Sequence, residues 1–241
     1  MKFEVVCFDI DGTLYPKWVT DLKLVRSFFP SPLLALRYRQ FRKDVRKEDG
    51  EKTSPENREG FRLRQAQWMS DHCRQKGQGD HIKSMDERVE KQFYSSWRHA
   101  FSSIRPYPGV RTTFEFLQKK GVAIAVLSDF PIERKLHSLN VADLVDYAVC
   151  AEESGYLKPN PAPFNLVCSA MGVDPEAVLY VGDSCTKDMF GASRVGMHTA
   201  LLDPKAKSTN RRRKTEKRCP YANIVFSDYR EFKEHLTKLL R

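Results

Sequence analysis

The 241-residue sequence has no C-x-x-C pair, no apolar run long enough to cross a bilayer and no internal repeat. Its six histidines show no ligand spacing, which leaves them without an assigned role. The six cysteines (Cys7, Cys73, Cys150, Cys168, Cys185 and Cys219) are scattered, several within apolar runs. That pattern predicts reduced, buried thiols rather than a disulfide framework or a zinc site, and a cytoplasmic setting. No basic segment followed by an apolar one opens the chain, so export is not expected. A membrane partner is excluded on the same grounds.

What the chain does have is enough apolar material for a real core, at 41% hydrophobic residues with 15 Phe and 9 Tyr. The net charge of +10 is unevenly placed. Residues 17–105 hold 20 Lys and Arg against 12 Asp and Glu, and residues 205–218 hold eight against one. Those basic stretches read as a layer separate from the rest.

Short apolar or β-branched runs at 2–9, 122–127, 145–149, 177–182 and 197–202 predict strands. Helical spacing follows over about Val110 to Lys120, after Pro161 to near Gly172, over about Thr186 to Val195, and over about Tyr229 to Leu240. Strand alternating with helix implies an α/β fold with a doubly wound, Rossmann-like parallel sheet. Residues 17–106 break this rhythm and predict an inserted all-helical cap, leaving 1–16 and 107–241 as the core. Within the insertion, Ser31 with Pro32 and Ser54 with Pro55 read as helix starts, and Ser84 with Glu87 as a capping box. Its aromatics (Phe61, Trp68, Phe93, Tyr94 and Trp97) are expected to form its own core.

The stretch "VVCFDIDGTLYP" ends a buried-strand pattern in two aspartates. Carboxylates at the mouth of a core strand are costly unless something cationic or hydrogen-bonding meets them. In a parallel sheet all carboxyl ends share one edge, where ligands bind. That edge collects Asp9, Ser128 with Asp129, and Asp183 with Asp188, while Lys158 sits in the Pro-stiffened loop "GYLKPNP". Gathered acids repel one another, and a hard divalent cation such as Mg²⁺ is the common remedy.

With "DIDGT", "LSD", "LKPNPAPF" and "VGDSCTKD" in this order, the chain resembles the haloacid dehalogenase superfamily across the whole core. The resemblance implies an aspartyl-phosphate mechanism with Asp9 as nucleophile and Asp11 as the acid that protonates the leaving oxygen and then activates water. Mg²⁺ would be held by Asp9, the backbone carbonyl of Asp11 and Asp183, with Asp188 on a metal-bound water or bracing the loop. Gly12, Thr13, Ser128, Asp129 and Lys158 would form the phosphate site, although Asp129 stands where relatives often carry Asn. Members that cleave carbon–halogen bonds lack an acid at the position of Asp11, so the resemblance implies a phosphomonoester hydrolase for a small phosphorylated substrate. A phosphotransferase or phosphomutase on the same scaffold is the alternative. A nucleic-acid-binding protein using the basic cap is a further one, disfavoured because binding does not require Asp11 and no DNA-binding motif is present. The basic segment Lys205 to Arg218 is expected to be a mobile, solvated loop whose charge draws anionic substrate.

Overall fold

Every residue of β1 (Val5–Phe8) is buried, because the strand lies in the middle of the sheet with helices over both faces. The structure, a computed structural model, describes residues 3–25, 29–47, 57–73, 82–101, 104–132 and 134–240. Six strands, β1, β2 (Ala123–Ser128), β3 (Tyr147–Cys150), β4 (Val178–Gly182), β5 (His198–Leu202) and β6 (Ile224–Phe226), form one sheet in the order 3-2-1-4-5-6. All five pairings are parallel. Side chains alternate between faces with the period of two that strand geometry imposes. Val6, Phe8, Val126 and Val181 belong to one core with Phe114 and Phe232, whereas Val5, Cys7, Leu127 and Tyr180 join Phe164 and Ala192 in the other. Burial on both faces explains why the strands read as continuous apolar runs.

The helices of the core are α6 (Val110–Lys119), α7 (Lys135–Ser138), α8 (Pro161–Met171), α9 (Phe190–Arg194), α10 (Thr209–Arg218) and α11 (Tyr229–Leu239). α8 starts where the Asn160 side chain accepts from the Ala162 amide and stops at Gly172, whose φ of 66° suits glycine. The helix expected from Thr186 begins instead as a π-helical turn, Cys185–Met189, that runs into α9.

Between Pro16 and Tyr107 the described residues contain α1 (Lys17–Val25), α2 (Pro32–Val45), α3 (Arg58–Cys73), α4 (Ile82–Val89) and α5 (Ser96–Ala100), the last two joined by a π-helical turn. Ser31 caps α2 by accepting from the Leu34 amide at 3.4 Å. Ser54 and Pro55 lie outside the described residues. Ser84 lies inside α4 and is no cap, since that helix is already under way at Ile82. Phe61, Phe93, Tyr94 and Trp97 are buried, but they form no core of their own. Phe93, Tyr94 and Trp97 join the cluster of Val6 and Phe8, Phe61 joins that of Val5 and Cys7, and Trp68 packs against both, because the inserted helices lie against the sheet.

Arg42 of α2 is buried against Glu152, just past β3, and also donates to the Asp129 carbonyl. Tyr94 donates to the same Glu152 carboxylate at 3.0 Å. Arg46 reaches the Asp129 carboxylate at 2.9 Å. The inserted helices are therefore tied to the core by charged groups as well as by apolar contact.

Two expectations fail at the far side of the sheet. Segment 205–218 is not a loop: Ser208 caps α10 through the Arg211 amide, Thr215 donates to Asp203 at 2.6 Å, and Arg212 pairs with Glu231. Its order comes from polar anchors, which a scarcity of apolar residues does not reveal. Cys185 and Cys219 are joined in a disulfide, so only Cys7, Cys73, Cys150 and Cys168 are free thiols. Alkylation of denatured, unreduced protein should label four cysteines, and six after reduction. The bridge closes a separation of 34 residues, and its loss is expected to cost roughly 3–4 kcal/mol by loop entropy. Six labels without reductant would rule the bridge out.

Candidate active site

The order of the sheet reverses direction at β1, whose neighbours are β2 and β4, and the crevice beyond such a point is where ligands bind in this architecture. Asp9 leaves the end of β1 with its amide donating to the Val181 carbonyl at 2.9 Å. The chain then turns sharply, with Thr13 and Leu14 amides returning to the Ile10 carbonyl at 3.2 and 2.9 Å. Gly12 has φ of 102°, and a Cβ there would lie 2.4 Å from an Asp183 carboxylate oxygen. Only glycine allows this turn to approach the β4 loop so closely.

Lys158 enters from the loop before α8 and is 1% exposed. Its Nζ donates to Asp9 Oδ1 and Asp188 Oδ1, both at 2.7 Å, and to the Tyr180 hydroxyl at 3.0 Å. Burial works against the charge, but Asp188 and Asp9 outweigh it and hold the ammonium well above the ordinary lysine range. Thr13 donates to the other Asp9 oxygen at 2.9 Å. Asp188 Oδ2 accepts from the Ser184 amide at 3.0 Å, so it braces the loop after β4.

Asp9, Asp183 and Asp188 each present one carboxylate oxygen, and these lie within 4.8 Å of one another. Burial pushes Asp9 up to about 6 despite Lys158, with Asp188 and Asp11 adding repulsion. Asp183 is also raised, first by burial and then by Asp9, against the pull of Lys17. Three hard oxygen donors carrying more negative charge than Lys158 balances fit a cation such as Mg²⁺. Lys17 of α1, 3.4 Å from Asp183 and half exposed, is a weak counter-charge.

Asp11 faces a different group. Its carboxylate accepts from Lys135 Nζ at 2.7 and 2.8 Å, from Ser128 Oγ at 3.1 Å and from the Tyr15 hydroxyl. Burial would raise it, but Lys135 prevails and holds it below the usual carboxylate range. Lys135 belongs to no stretch singled out in the sequence, and Tyr15, within VVCFDIDGTLYP, has no role assigned there. The signal that could have found Lys135 is the need of a second buried acid for a second cation.

Asp129, expected at the phosphate site, meets groups of the chain itself. Its carboxylate accepts from the Lys158 amide at 3.1 Å and from Arg46 at 2.9 Å. Burial is overcome by Arg46 and Lys158, which hold it far below the ordinary range. An aspartate suits this position because a cation of the inserted helices meets it, a partner that an asparagine would not attract electrostatically.

The chain matches the model of the haloacid dehalogenase-like hydrolases over residues 3–196. A glyceraldehyde 3-phosphate phosphatase of Methanopyrus kandleri is 37% identical over 105 residues, 42% of this chain and 45% of that protein. A ribulose-1,5-bisphosphate 5-phosphatase of Halopiger xanaduensis is 27% identical over 84% of this chain and 86% of its own length. The chain thus spans about half the length of the first relative and most of the second. Among solved structures, the 2-haloacid dehalogenase of Pseudomonas syringae pv. tomato shares the fold with a TM-score of 0.63 at 21% identity, covering 98% of this chain and 99% of that one.

Proposed function

The chain belongs to the haloacid dehalogenase-like hydrolases, and we propose that it hydrolyses phosphomonoesters of small phosphorylated metabolites. The observation that carries this reading is Asp11, a second carboxylate at the sheet edge set among Ser128, Lys135 and Tyr15. Displacement of halide needs no acid for the leaving group, whereas displacement of an alcohol from phosphorus does. The relatives whose names specify small sugar-phosphate substrates support the same class.

In this mechanism an Asp9 oxygen attacks phosphorus and the bond to the alcohol oxygen breaks, leaving an aspartyl phosphate. Asp11 supplies the proton that the departing oxygen takes up, then removes one from the water that attacks the phosphorus of the intermediate. Phosphate leaves and the Asp9 carboxylate is restored. Lys135 holds Asp11 ionised before substrate enters, and the negative phosphate beside it shifts Asp11 toward the protonated form that this role requires. Thr13, Ser128 and Lys158 offer donors to the phosphoryl oxygens. Asp9, Asp183 and Asp188 would hold Mg²⁺, with the Asp11 backbone carbonyl as a further ligand, and the bound ion would neutralise charge between the nucleophile and the phosphate.

A panel of phosphorylated metabolites, with released phosphate read in Mg²⁺ and after chelation, tests the reading. Release should occur with Mg²⁺ and stop on chelation. Circular dichroism of the same samples should stay unchanged, since the candidate ligands sit at the edge of the sheet rather than in its core. Failure of every ester in the presence of Mg²⁺ would sink the hydrolase reading, and transfer of the phosphoryl group to an added alcohol in preference to water would redirect it to a transferase.

A further inference from the structure

We infer that the cavity between α1, α2 and the loop after β2 binds a second anionic group of the substrate, a carboxylate or another phosphate. The inference rests on the phosphomonoester reading above and narrows its substrate class. The cavity measures about 1020 Å³. Its wall carries Arg39 and Lys43 of α2, one helical turn apart on the same side, and Arg46 and Lys47 just past the end of that helix. Asp21 and Asp44 are the acids that line it, and Asp44 lies 3.4 Å from Lys47. Lys43 is exposed and has no acidic partner within ion-pair distance among the described residues. Like charges at i and i+4 oppose one another, and a bound anion would relieve that opposition.

The other wall is aromatic and firmly set. Phe130 lies beneath the Arg42 guanidinium at 4.7 Å and meets Trp97 edge to face at 4.9 Å, while Phe93 stacks on Tyr38 at 4.2 Å. Arg42 is 3% exposed and bound to Glu152. These contacts fix the wall and leave the exposed cations of α2 as the adaptable part.

Two paths place this cavity beside the reacting edge. Ser128, which hydrogen-bonds Asp11, precedes the cavity residue Phe130 by two positions, and its Oγ accepts from the Phe130 amide at 3.1 Å. Two residues of chain span at most about 7 Å. On the opposite side α1 begins at Lys17, which meets Asp183, and lines the cavity at Asp21 and Val25. These lie about 6 and 12 Å along the helix at 1.5 Å per residue. A molecule of a few carbons with its ester at Asp9 would extend into this cavity, where Arg39 and Lys43 are the exposed cations of the wall and Arg46 is engaged by Asp129.

Three esters of one chain length test this: propyl phosphate, 2-carboxyethyl phosphate and propane-1,3-diol bisphosphate. Binding is measured by calorimetry on the full chain carrying Asp9→Asn, in about 0.5 M salt so that long-range attraction is screened. At least one of the two esters with a second anion should bind about tenfold or more tightly than propyl phosphate, as expected for added charge-assisted hydrogen bonds. The tighter of the two identifies the anion. Adding Arg39→Ser and Lys43→Ser, both at exposed positions, should bring all three esters to within about twofold. No preference before these changes, or an undiminished preference after them, would overturn the inference. Turnover of the three esters by the chain with Asp9 intact is read separately. Its absence counts against the hydrolase reading, while the calorimetric preference still decides the second site.

Discussion

Asp9→Asn is expected to fold as the parent does, to bind phosphate esters, and to turn them over at least about 10⁴-fold more slowly, the scale of losing a covalent nucleophile. An amide nitrogen or oxygen cannot form the acyl phosphate that the proposed cycle requires. The change is nearly isosteric, and Thr13 and Lys158 both donate to Asp9, so the side-chain amide can keep its oxygen toward one of them. Rapid acid quench followed by mass spectrometry should find phosphate on Asp9 of the parent and none on the variant. Asp11→Asn should differ, because the nucleophile remains and the water-activating group is gone, so the phosphorylated chain should accumulate. Full turnover by Asp9→Asn would end the covalent mechanism.

Lys158→Met should cost both stability and activity. The ammonium is the shared donor to Asp9 and Asp188, which are 5% and 1% exposed. Removing one partner from a buried charged cluster leaves the others uncompensated, at a typical cost of about 3–5 kcal/mol. Urea unfolding in chelator should show this shift. Mg²⁺ should recover part of the stability, because a cation replaces the lost charge, but not turnover, because a donor to the phosphate is still absent. Tyr180→Phe is the control, since it removes one hydrogen bond to Lys158 and should cost only about 1 kcal/mol. Parent-like stability and turnover in Lys158→Met would show that the lysine is not the keystone of this cluster.

The parts of this molecule legible in the sequence are those that follow from sheet topology. A run such as VVCF ending in Asp9 announces a buried strand and its edge. Once the sheet is parallel, Ser128, Lys158, Asp183 and Asp188 are brought to the same side without further information. Lys135 was not legible. It sits on a helix of four residues, seven positions after Ser128, and only the fold brings it to Asp11. β6 escaped because three residues, Ile224–Phe226, are too short for a period to register. α10 escaped for a different reason: Thr215, Arg212 and the Cys185–Cys219 bridge anchor it, and neither hydropathy nor charge reports contacts to Asp203, Glu231 or a distant thiol. The ties from Arg42 and Arg46 to the core were hidden in the same way, since a basic helix facing solvent and one facing Glu152 have the same composition.

The central place of β1 sets the order of events at the ribosome. Val5 pairs with Ala123 on one side and Val178 on the other, so its partners lie 118 and 173 residues downstream. At a synthesis rate of roughly 5–20 residues per second, β1 waits about 6 to 35 s for its neighbours. For that interval VVCF is an uncovered apolar segment with both hydrogen-bonding edges open. The helices of residues 17–101 emerge before either partner strand. Local helical contacts form far faster than such distant strand pairing. Nascent chains with β1 outside the ribosome and β2 not yet outside it should therefore be helical, sticky at β1 and bound by chaperones, and chains with β4 also outside should be the first able to surround β1 on both sides.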